Sequence, residues 1–267
     1  MIRRAAVAGS FYAGTRERLC AQIDALKPER AEPHETIAAI VPHAGYVYSG
    51  RVAAAVYAQI TPPDTWVILG PNHTGSGAKA SIMTSGTWET PLGAMAIDAE
   101  LAQGILAGSS QLQDDSLAHA REHSIEVQLP FLQYAGGVSS FVPIALFAFD
   151  YAVCRDVGQA VAGAIRATGR RAVLAASTDM SHYVSRSVAA AKDRMAIDAM
   201  LALDPETLHQ VVRREGISMC GFHAATAVLV AAKALGATSA HLVAYTDSGE
   251  VTGDMKEVVA YAGLIIR

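Results

Sequence analysis

The chain has 267 residues with a formal net charge of −4, and 51% of them are hydrophobic, which favours one large domain over residues 1–267. No apolar run approaches the roughly 20 residues that a membrane-spanning helix needs, and no stretch of signal-peptide type follows the first arginines, so we expect a cytoplasmic protein without a membrane partner. No block of lysine or arginine supports nucleic-acid binding, and the three cysteines do not make a disulfide framework.

Short apolar, β-branched runs alternate along the chain with longer alanine-rich runs. The first kind of run is typical of buried strands and the second of helices. Because strands and helices alternate, we predict an α/β fold with a mostly parallel sheet flanked by helices on both faces. An antiparallel excursion is predicted over residues 83–98. The predicted strands are residues 36–41, 65–69, 141–146, 172–176, 240–245 and 258–265, and the predicted helices are residues 51–60, 124–129, 151–167, 187–203 and 221–235.

Polar residues follow three of these strands at the point where each strand ends. The first predicted strand leads to His43, the second to His73, and the fourth to Asp179 and His182. Ligands of open α/β sheets bind outside the carboxyl ends of the strands, so these side chains are expected to converge on one site. The alternative is that strand ends simply favour Gly, Pro and Asn, with the histidines incidental. Three strands ending alike favour the site.

The convergent residues are suited to a metal ion. Neutral imidazole is a common metal ligand, and two histidines with one anionic ligand would leave positions open for substrate, as catalytic metal sites do. The candidate anionic ligands are Asp179, Glu122, Glu126 and the thiolate of Cys220.

Cys220 stands directly before the predicted helix 221–235. A helix N-terminus stabilises a thiolate and so favours metal binding or reactivity. The equally weighted alternative is a cysteine that packs as a small hydrophobic residue. Cys20 and Cys154 fall inside probable amphipathic helices, and for them the packing role is favoured.

Residues 121–130 form the densest polar cluster. On a helix, Glu122, His123 and Glu126 would share one face. These residues could cap the helix start, or His123 could form a pocket wall or orient a metal ligand. His119, Glu122 and His123 also match the H-x-x-E-H pattern of inverted zinc metallopeptidases, a minor alternative because Pro130 ends the helix soon afterwards.

Three tyrosines, Tyr46, Tyr48 and Tyr183, lie next to the strand-end histidines. They could line a pocket that accepts an aromatic ligand, or they could be ordinary half-buried tyrosines. The sequence leaves both roles open.

Five ordered motifs resemble those of Memo proteins, whose bacterial and archaeal members are called AmmeMemoRadiSam system protein B. They extend the resemblance over nearly the whole chain, and the EHSIEVQLP string is highly specific. The motifs are residues 41–46 (VPHAGY), 70–73 (GPNH), 122–130 (EHSIEVQLP), 177–182 (STDMSH) and 219–223 (MCGFH).

The resemblance implies a fold similar to that of LigB-type class III extradiol dioxygenases and a non-haem metal site, with Fe2+ as the expected metal. It implies His43, His73 and Cys220 as metal ligands. Around them, His182 is the expected acid/base residue, with Asp179 and His123 beside it. AMMECR-type and radical SAM proteins are the partners that the family label implies.

One departure from the dioxygenases limits what the resemblance implies about chemistry. Those enzymes complete the iron with a carboxylate, whereas the third ligand here would be a thiolate, which also suits zinc or copper. Fold alone does not carry over an activity. Two hypotheses follow: a dioxygenase-like redox enzyme with a small-molecule substrate, or a non-catalytic module that binds a peptide, small ligand or partner in the same pocket.

Overall fold

A computed structural model describes residues 1–136, 140–147 and 150–267, in which strands and helices alternate along most of the chain. The strands of the described residues are β1 (Ile2–Arg3), β2 (Ala38–Val41), β3 (Thr65–Pro71), β4 (Ala80–Ile82), β5 (Thr87–Thr90), β6 (Gly93–Ile97), β7 (Gln113–Asp114), β8 (Ser140–Leu146), β9 (Ala172–Ser177), β10 (His182–Val184), β11 (Ala240–Asp247) and β12 (Val258–Ile266). The helices are α1 (Arg16–Leu26), α2 (Tyr46–Tyr57), α3 (Ala99–Gly108), α4 (Leu129–Ala135), α5 (Tyr151–Thr168), α6 (Arg186–Leu201), α7 (Pro205–Arg214), α8 (Phe222–Ala234) and α9 (Gly249–Thr252), with a 3₁₀-helix at Glu126–Gln128.

The strands form one mixed sheet with a parallel centre. β6, β8, β3, β9 and β2 lie side by side in that order, and each pair of neighbours is parallel. β12 is antiparallel to β2 and β10 on one side and to β11 on the other. β5 and β6 form an antiparallel pair, which confirms the excursion predicted near residues 83–98. The α/β prediction with a mostly parallel sheet is therefore confirmed.

The central strands are buried along their whole length because helices cover both faces of the sheet. Every residue of β2 and β3 is buried, and α2 and α8 both pack against β2. Successive side chains of a strand point to opposite faces, so continuous burial requires two covered faces. This is why these strands appear in the sequence as unbroken apolar runs.

The helix predicted over residues 124–129 does not form as such, and this prediction was wrong. A 3₁₀-helix covers Glu126–Gln128, and α4 then begins at Leu129 with Pro130 in its first turn. The side chains of this segment bond to distant parts of the chain instead of capping a helix.

Helices α3 and α7 were not predicted from the sequence, and α1 was predicted only as an amphipathic helix around Cys20. Each begins at a residue whose side chain accepts a hydrogen bond from a backbone N–H of the first turn: Thr15, Asp98 and Asp204. Such N-cap residues are a sequence signal for a helix start, but these helices lack a long apolar run. Within the described parts of the chain, no helix combines the length and apolar character needed to cross a bilayer.

Glu126 fixes the N-terminal segment to the rest of the fold. Its side chain is fully buried and forms a 2.6 Å ion pair with Arg3. It also accepts hydrogen bonds from the backbone N–H groups of Ala6 and Val7 and from the Tyr12 hydroxyl, at 2.7, 3.0 and 2.7 Å. Burial of this charge is tolerated because all of its partners are donors.

Arg3 in turn fixes the backbone of the polar cluster. Its guanidinium donates to the carbonyls of His119 and Glu122 at 2.8 and 2.7 Å. The same group lies 4.0 Å from the centroid of the Trp88 ring. These bonds hold residues 119–122 in a non-helical path.

Candidate metal centre

Three imidazoles, those of His43, His73 and His123, meet at the carboxyl edge of the parallel strands. Each offers a ring nitrogen, and the three nitrogens lie within 4.8 Å of one another. His43 follows β2 and His73 follows β3, whereas His123 comes from the segment before the 3₁₀-helix. A group of this size and donor type can hold a metal ion.

Ser177 fixes the tautomer of His43. Its hydroxyl donates its one proton to the Ser124 carbonyl at 2.6 Å and accepts from the Gln128 amide at 2.8 Å. His43 Nδ1 lies 3.0 Å from the same oxygen. Because the hydroxyl proton is already used, His43 Nδ1 must carry the hydrogen. The Nε2 lone pair is therefore free for a metal, and it lies 3.2 Å from Cys220 Sγ.

The orientation of the Gln128 amide is itself fixed at both ends. Its NH2 group also donates to the Pro42 carbonyl at 2.9 Å, and its carbonyl oxygen accepts from the Tyr57 hydroxyl at 2.9 Å. The amide cannot be reversed without placing oxygen against the Pro42 carbonyl. The tautomer of His43 thus depends on a defined network rather than on a single contact.

Glu122 orients the other two imidazoles. Its fully buried carboxylate lies 2.9 Å from His73 Nδ1 and 3.5 Å from His123 Nδ1, and it accepts from the backbone N–H groups of His73 and Ser124. The rings of His73 and His123 stack with centroids 4.7 Å apart. A carboxylate bonded to the second nitrogen of an imidazole is a common arrangement around protein-bound metals.

Burial and neighbouring charges set the protonation states of two of the imidazoles and of the Glu122 carboxylate. Burial, and after it the charges of neighbouring histidines, lower the pKa of His43 well below its usual range. Burial also lowers the pKa of His123, against the opposing charge of Glu122. Burial raises the pKa of Glu122, but the hydrogen bond from His73 and further donors outweigh it and lower this pKa to about 2. Near neutral pH, His43 and His123 are therefore neutral and Glu122 is ionised.

Cys220 lies just before α8, where the sequence placed it, but its thiol is not activated by that helix. Burial, and then the charge of Asp179, raise the pKa of the Cys220 thiol, although the Asp179 N–H donates to the sulfur at 3.3 Å. The expectation that the helix start stabilises a thiolate was wrong for the metal-free protein. A thiolate at this position needs a cation beside it.

The distance between the Cys220 sulfur and His43 Nε2 suits a shared ion. Nitrogen and sulfur ligands at about 2.0 and 2.3 Å from a tetrahedral ion lie about 3.5 Å apart, close to the 3.2 Å between these two atoms. The sulfur is not part of the three-imidazole group, so Cys220 as a ligand stays a prediction. The donor set as a whole fits a metal.

Asp179 lies beside His43 and borders the cavity. Its buried carboxylate accepts from the backbone N–H groups of His43 and Ala44 at 2.8 and 3.3 Å, and its second oxygen lies 3.9 Å from His43 Nε2. Burial raises the pKa of Asp179 to about 6 despite these donors. It therefore positions the turn that carries His43.

His182 has a defined tautomer as well. Its Nδ1 lies 2.8 Å from the Met180 carbonyl and 2.9 Å from the Ser218 carbonyl. Two acceptors require a proton on Nδ1, which leaves Nε2 as the acceptor of the ring. His182 and His43 line the same cavity, which has a volume of about 570 Å³.

Aromatic rings form part of the cavity wall. Tyr48 and Tyr183 line it, together with Phe11 and Tyr261, which sequence reasoning missed. Tyr46 is instead buried in the core, where its hydroxyl donates to a backbone carbonyl and its ring stacks on an aromatic neighbour. No local sequence signal distinguishes Phe11, because the segment that carries it is held near the cavity by bonds from its neighbours to the distant Glu126.

The metallopeptidase pattern at residues 119–123 is contradicted by the backbone. These residues form turns and bends rather than a helix, because Arg3 binds two of their carbonyls. His119 is fully buried, with Nε2 2.9 Å from the Ser81 hydroxyl and its ring against Trp88. It is not a member of the imidazole group found among the described residues.

The His119→Ala variant is therefore expected to retain the metal content of the wild-type protein, because the substitution removes no side chain of the imidazole group. A peptidase of the H-x-x-E-H type would lose its metal. Metal analysis of the folded variant tests this expectation, with circular dichroism to verify the fold. Loss of metal from folded His119→Ala protein would restore the peptidase interpretation.

The other candidate residues of the sequence lie outside the imidazole group. Glu126 serves the N-terminal segment, as described above. Cys20 and Cys154 are free thiols within α1 and α5, and Cys154 is fully buried, consistent with a packing role.

Comparisons with known proteins agree in sequence and in fold. The sequence profile described as "Memo-like protein" matches residues 3–265. A MEMO1 family protein of Methanopyrus kandleri is 43% identical, over 100% of this chain and 99% of its own. A MEMO1 family protein of Methanothermobacter thermautotrophicus is 43% identical, over 99% of this chain and 100% of its own. The crystal structure of an uncharacterized protein from Escherichia coli K12 has a similar fold, with a TM-score of 0.58 and 13% identity over 86% of this chain and 100% of that one.

Proposed function

The chain belongs to the Memo family, as its motifs predict, and from this premise we propose that it is a non-haem, iron-dependent redox enzyme acting on a small aromatic substrate. The observation that carries the proposal is the group of three imidazole nitrogens within 4.8 Å of one another. His43 and His73 both have Nδ1 bonded to a fixed partner, so Nε2 of each is available to a metal.

His43 and His73 would hold the metal, with Cys220 as the third ligand and His123 beside them. Bound iron would supply a Lewis acid and a redox centre with positions open to substrate. Two imidazoles and a thiolate would suit zinc or copper as well. The dioxygenase-like form of the proposal rests on the fold that the Memo resemblance implies, which is similar to that of LigB-type enzymes; in those enzymes a carboxylate takes the place of the thiolate.

The chain's own residues would bind the substrate and move its proton. Nε2 of His182 would accept a proton from a substrate hydroxyl. The Met180 and Ser218 carbonyls, already bonded to Nδ1–H, would stabilise the resulting imidazolium. Tyr48 and Tyr183 would pack against the substrate ring.

The test is anaerobic purification without a metal-binding tag, followed by metal quantification and an absorption spectrum. We expect about one iron per chain and a thiolate-to-iron charge-transfer band that disappears in Cys220→Ala. His43→Ala should lose metal affinity by more than the 10–100-fold typical of residues outside the ligand shell. A His123→Ala variant that keeps the band and the metal would assign the third position to sulfur.

A second function is favoured by the exposed rings at the cavity mouth, where Tyr183 is 75% exposed and Tyr48 39% exposed. Such rings suit a module that binds a peptide or small ligand without turnover. The same metal analysis separates the two functions. Substoichiometric metal that is unaffected by His43→Ala and Cys220→Ala would favour the module and contradict the enzyme.

A further inference from the structure

The wall of the site cavity carries carboxylates but no permanent positive charge. Among the described residues that line it, Asp179 and Glu257 are acidic, and none is lysine or arginine. Asp179 is buried beside His43, whereas Glu257 is exposed and therefore lies towards the mouth. A ligand in this cavity meets negative charge at two depths.

The Glu257 carboxylate is available to a ligand. Within the described chain it has no hydrogen-bond or ion-pair partner. The nearby cation Arg186 is already paired with Asp247 and Glu250, each at 2.7 Å. Lys256, the sequence neighbour of Glu257, is not among the residues that line the cavity.

Aromatic faces accompany this carboxylate. Tyr48, Tyr183, Tyr261 and Phe11 line the same cavity, and the faces of such rings attract organic cations. A carboxylate combined with aromatic faces favours an ammonium group attached to an apolar body. A carboxylate or phosphate at the mouth end of the ligand would instead face Glu257, with no lysine or arginine among the described lining residues to compensate it, which disfavours such anionic ligands.

We propose that the cavity selects phenolic amines, with the ammonium group bound by Glu257 at the mouth and the hydroxyl directed towards the histidines at the floor. The cavity volume of about 570 Å³ lies within the range of small-molecule sites. Only the direction of the hydroxyl rests on the proposed function. The preference for positive charge follows from the cavity wall.

Three probes of matched size test the proposal by calorimetry or ligand-observed NMR: tyramine, neutral 4-ethylphenol and anionic 3-(4-hydroxyphenyl)propionate. We expect tyramine to bind about 5- to 20-fold more tightly than 4-ethylphenol, from one exposed ion pair and cation–π contacts. The propionate should bind most weakly. Raising the ionic strength should reduce the preference for tyramine.

The variant Glu257→Gln should abolish most of the tyramine preference and leave 4-ethylphenol binding unchanged. Glu250→Gln is the matched control, because Glu250 is also exposed but is paired with Arg186 and does not line the cavity. Equal binding of tyramine and the propionate, an undiminished preference in Glu257→Gln, or no binding of any probe would each overturn the inference. Because binding needs no turnover, protein that purifies anaerobically without iron and still ranks the probes as expected would contradict the proposed enzyme and support this inference.

Discussion

Replacing Glu126 with alanine is expected to lower the free energy of unfolding by about 3–5 kcal/mol, the usual cost of removing one partner of a buried ion pair. The substitution leaves the guanidinium of Arg3 buried without its carboxylate and removes the acceptor of two backbone N–H groups and a tyrosine hydroxyl. Each of these donors is then left unsatisfied or must find water. Urea unfolding followed by circular dichroism measures the change.

An exposed ion pair provides the control. Asp198 and Arg194 are paired at 2.7 Å on α6, with side chains 53% and 65% exposed, and Asp198→Ala should cost about 1 kcal/mol or less. If Glu126→Ala were no more destabilised than Asp198→Ala, the N-terminal segment would not depend on this carboxylate.

Replacing Glu122 with glutamine is expected to weaken metal binding by about 10–100-fold, the range typical of groups that orient metal-binding histidines. The amide keeps the shape of the carboxylate but loses the charge that favours a hydrogen on His73 Nδ1. Its NH2 group can also point at that nitrogen and select the wrong tautomer. Competition against a chelator of known affinity measures the change.

Glu257→Gln is the matched control for this variant, since it makes the same substitution near the same site, in the cavity wall, on a residue that touches no imidazole. It should retain wild-type metal affinity. A metal affinity of Glu122→Gln equal to that of Glu257→Gln would show that the carboxylate does not orient His73.

The free energy of unfolding offers a second readout, because the folded-state pKa of Glu122 is lowered to about 2 from 4.5. Its ionised form therefore stabilises the fold above about pH 4.5, and this stabilisation is lost as the pH falls towards 2.

The strand-end histidines could be predicted because the signal is local. An apolar run followed directly by a histidine places that side chain at the edge of the sheet whatever the rest of the fold does. This argument placed His43 and His73 at one edge. It could not place His123, whose position depends on turns that Arg3 fixes from more than a hundred residues away in the sequence.

Two other outcomes show the same limit of local reasoning. The pKa of the Cys220 thiol is raised first by burial and then by the charge of Asp179, and both arise only in the folded chain. The different locations of Tyr46, in the core, and Tyr48, in the cavity wall, could have been predicted if α2 had been predicted to begin at Tyr46 rather than near Arg51. Residues two apart on a helix face different sides. The error in the helix start therefore hid which tyrosine faces the cavity.

The polar string at residues 122–130 is so distinctive because its side chains bond to parts of the molecule that are far apart in sequence. Glu122 binds His73, Ser124 donates to the Pro71 carbonyl at 2.9 Å, and Gln128 bonds to the Pro42 carbonyl at 2.9 Å. Each of these three residues thus has a separate partner at or just after the end of a strand. If this segment only capped a helix, particular residue types would be required at far fewer of its positions.

The place of β12 in the sheet has a consequence for the order of folding and binding. This strand is paired along both edges, with β2 and β10 on one side and with β11 on the other. Glu257 and Tyr261 of the same stretch complete the cavity wall opposite Phe11. A molecule in which β12 has not yet joined the sheet therefore lacks part of its cavity wall, so ligand capture at this site requires β12 to be paired.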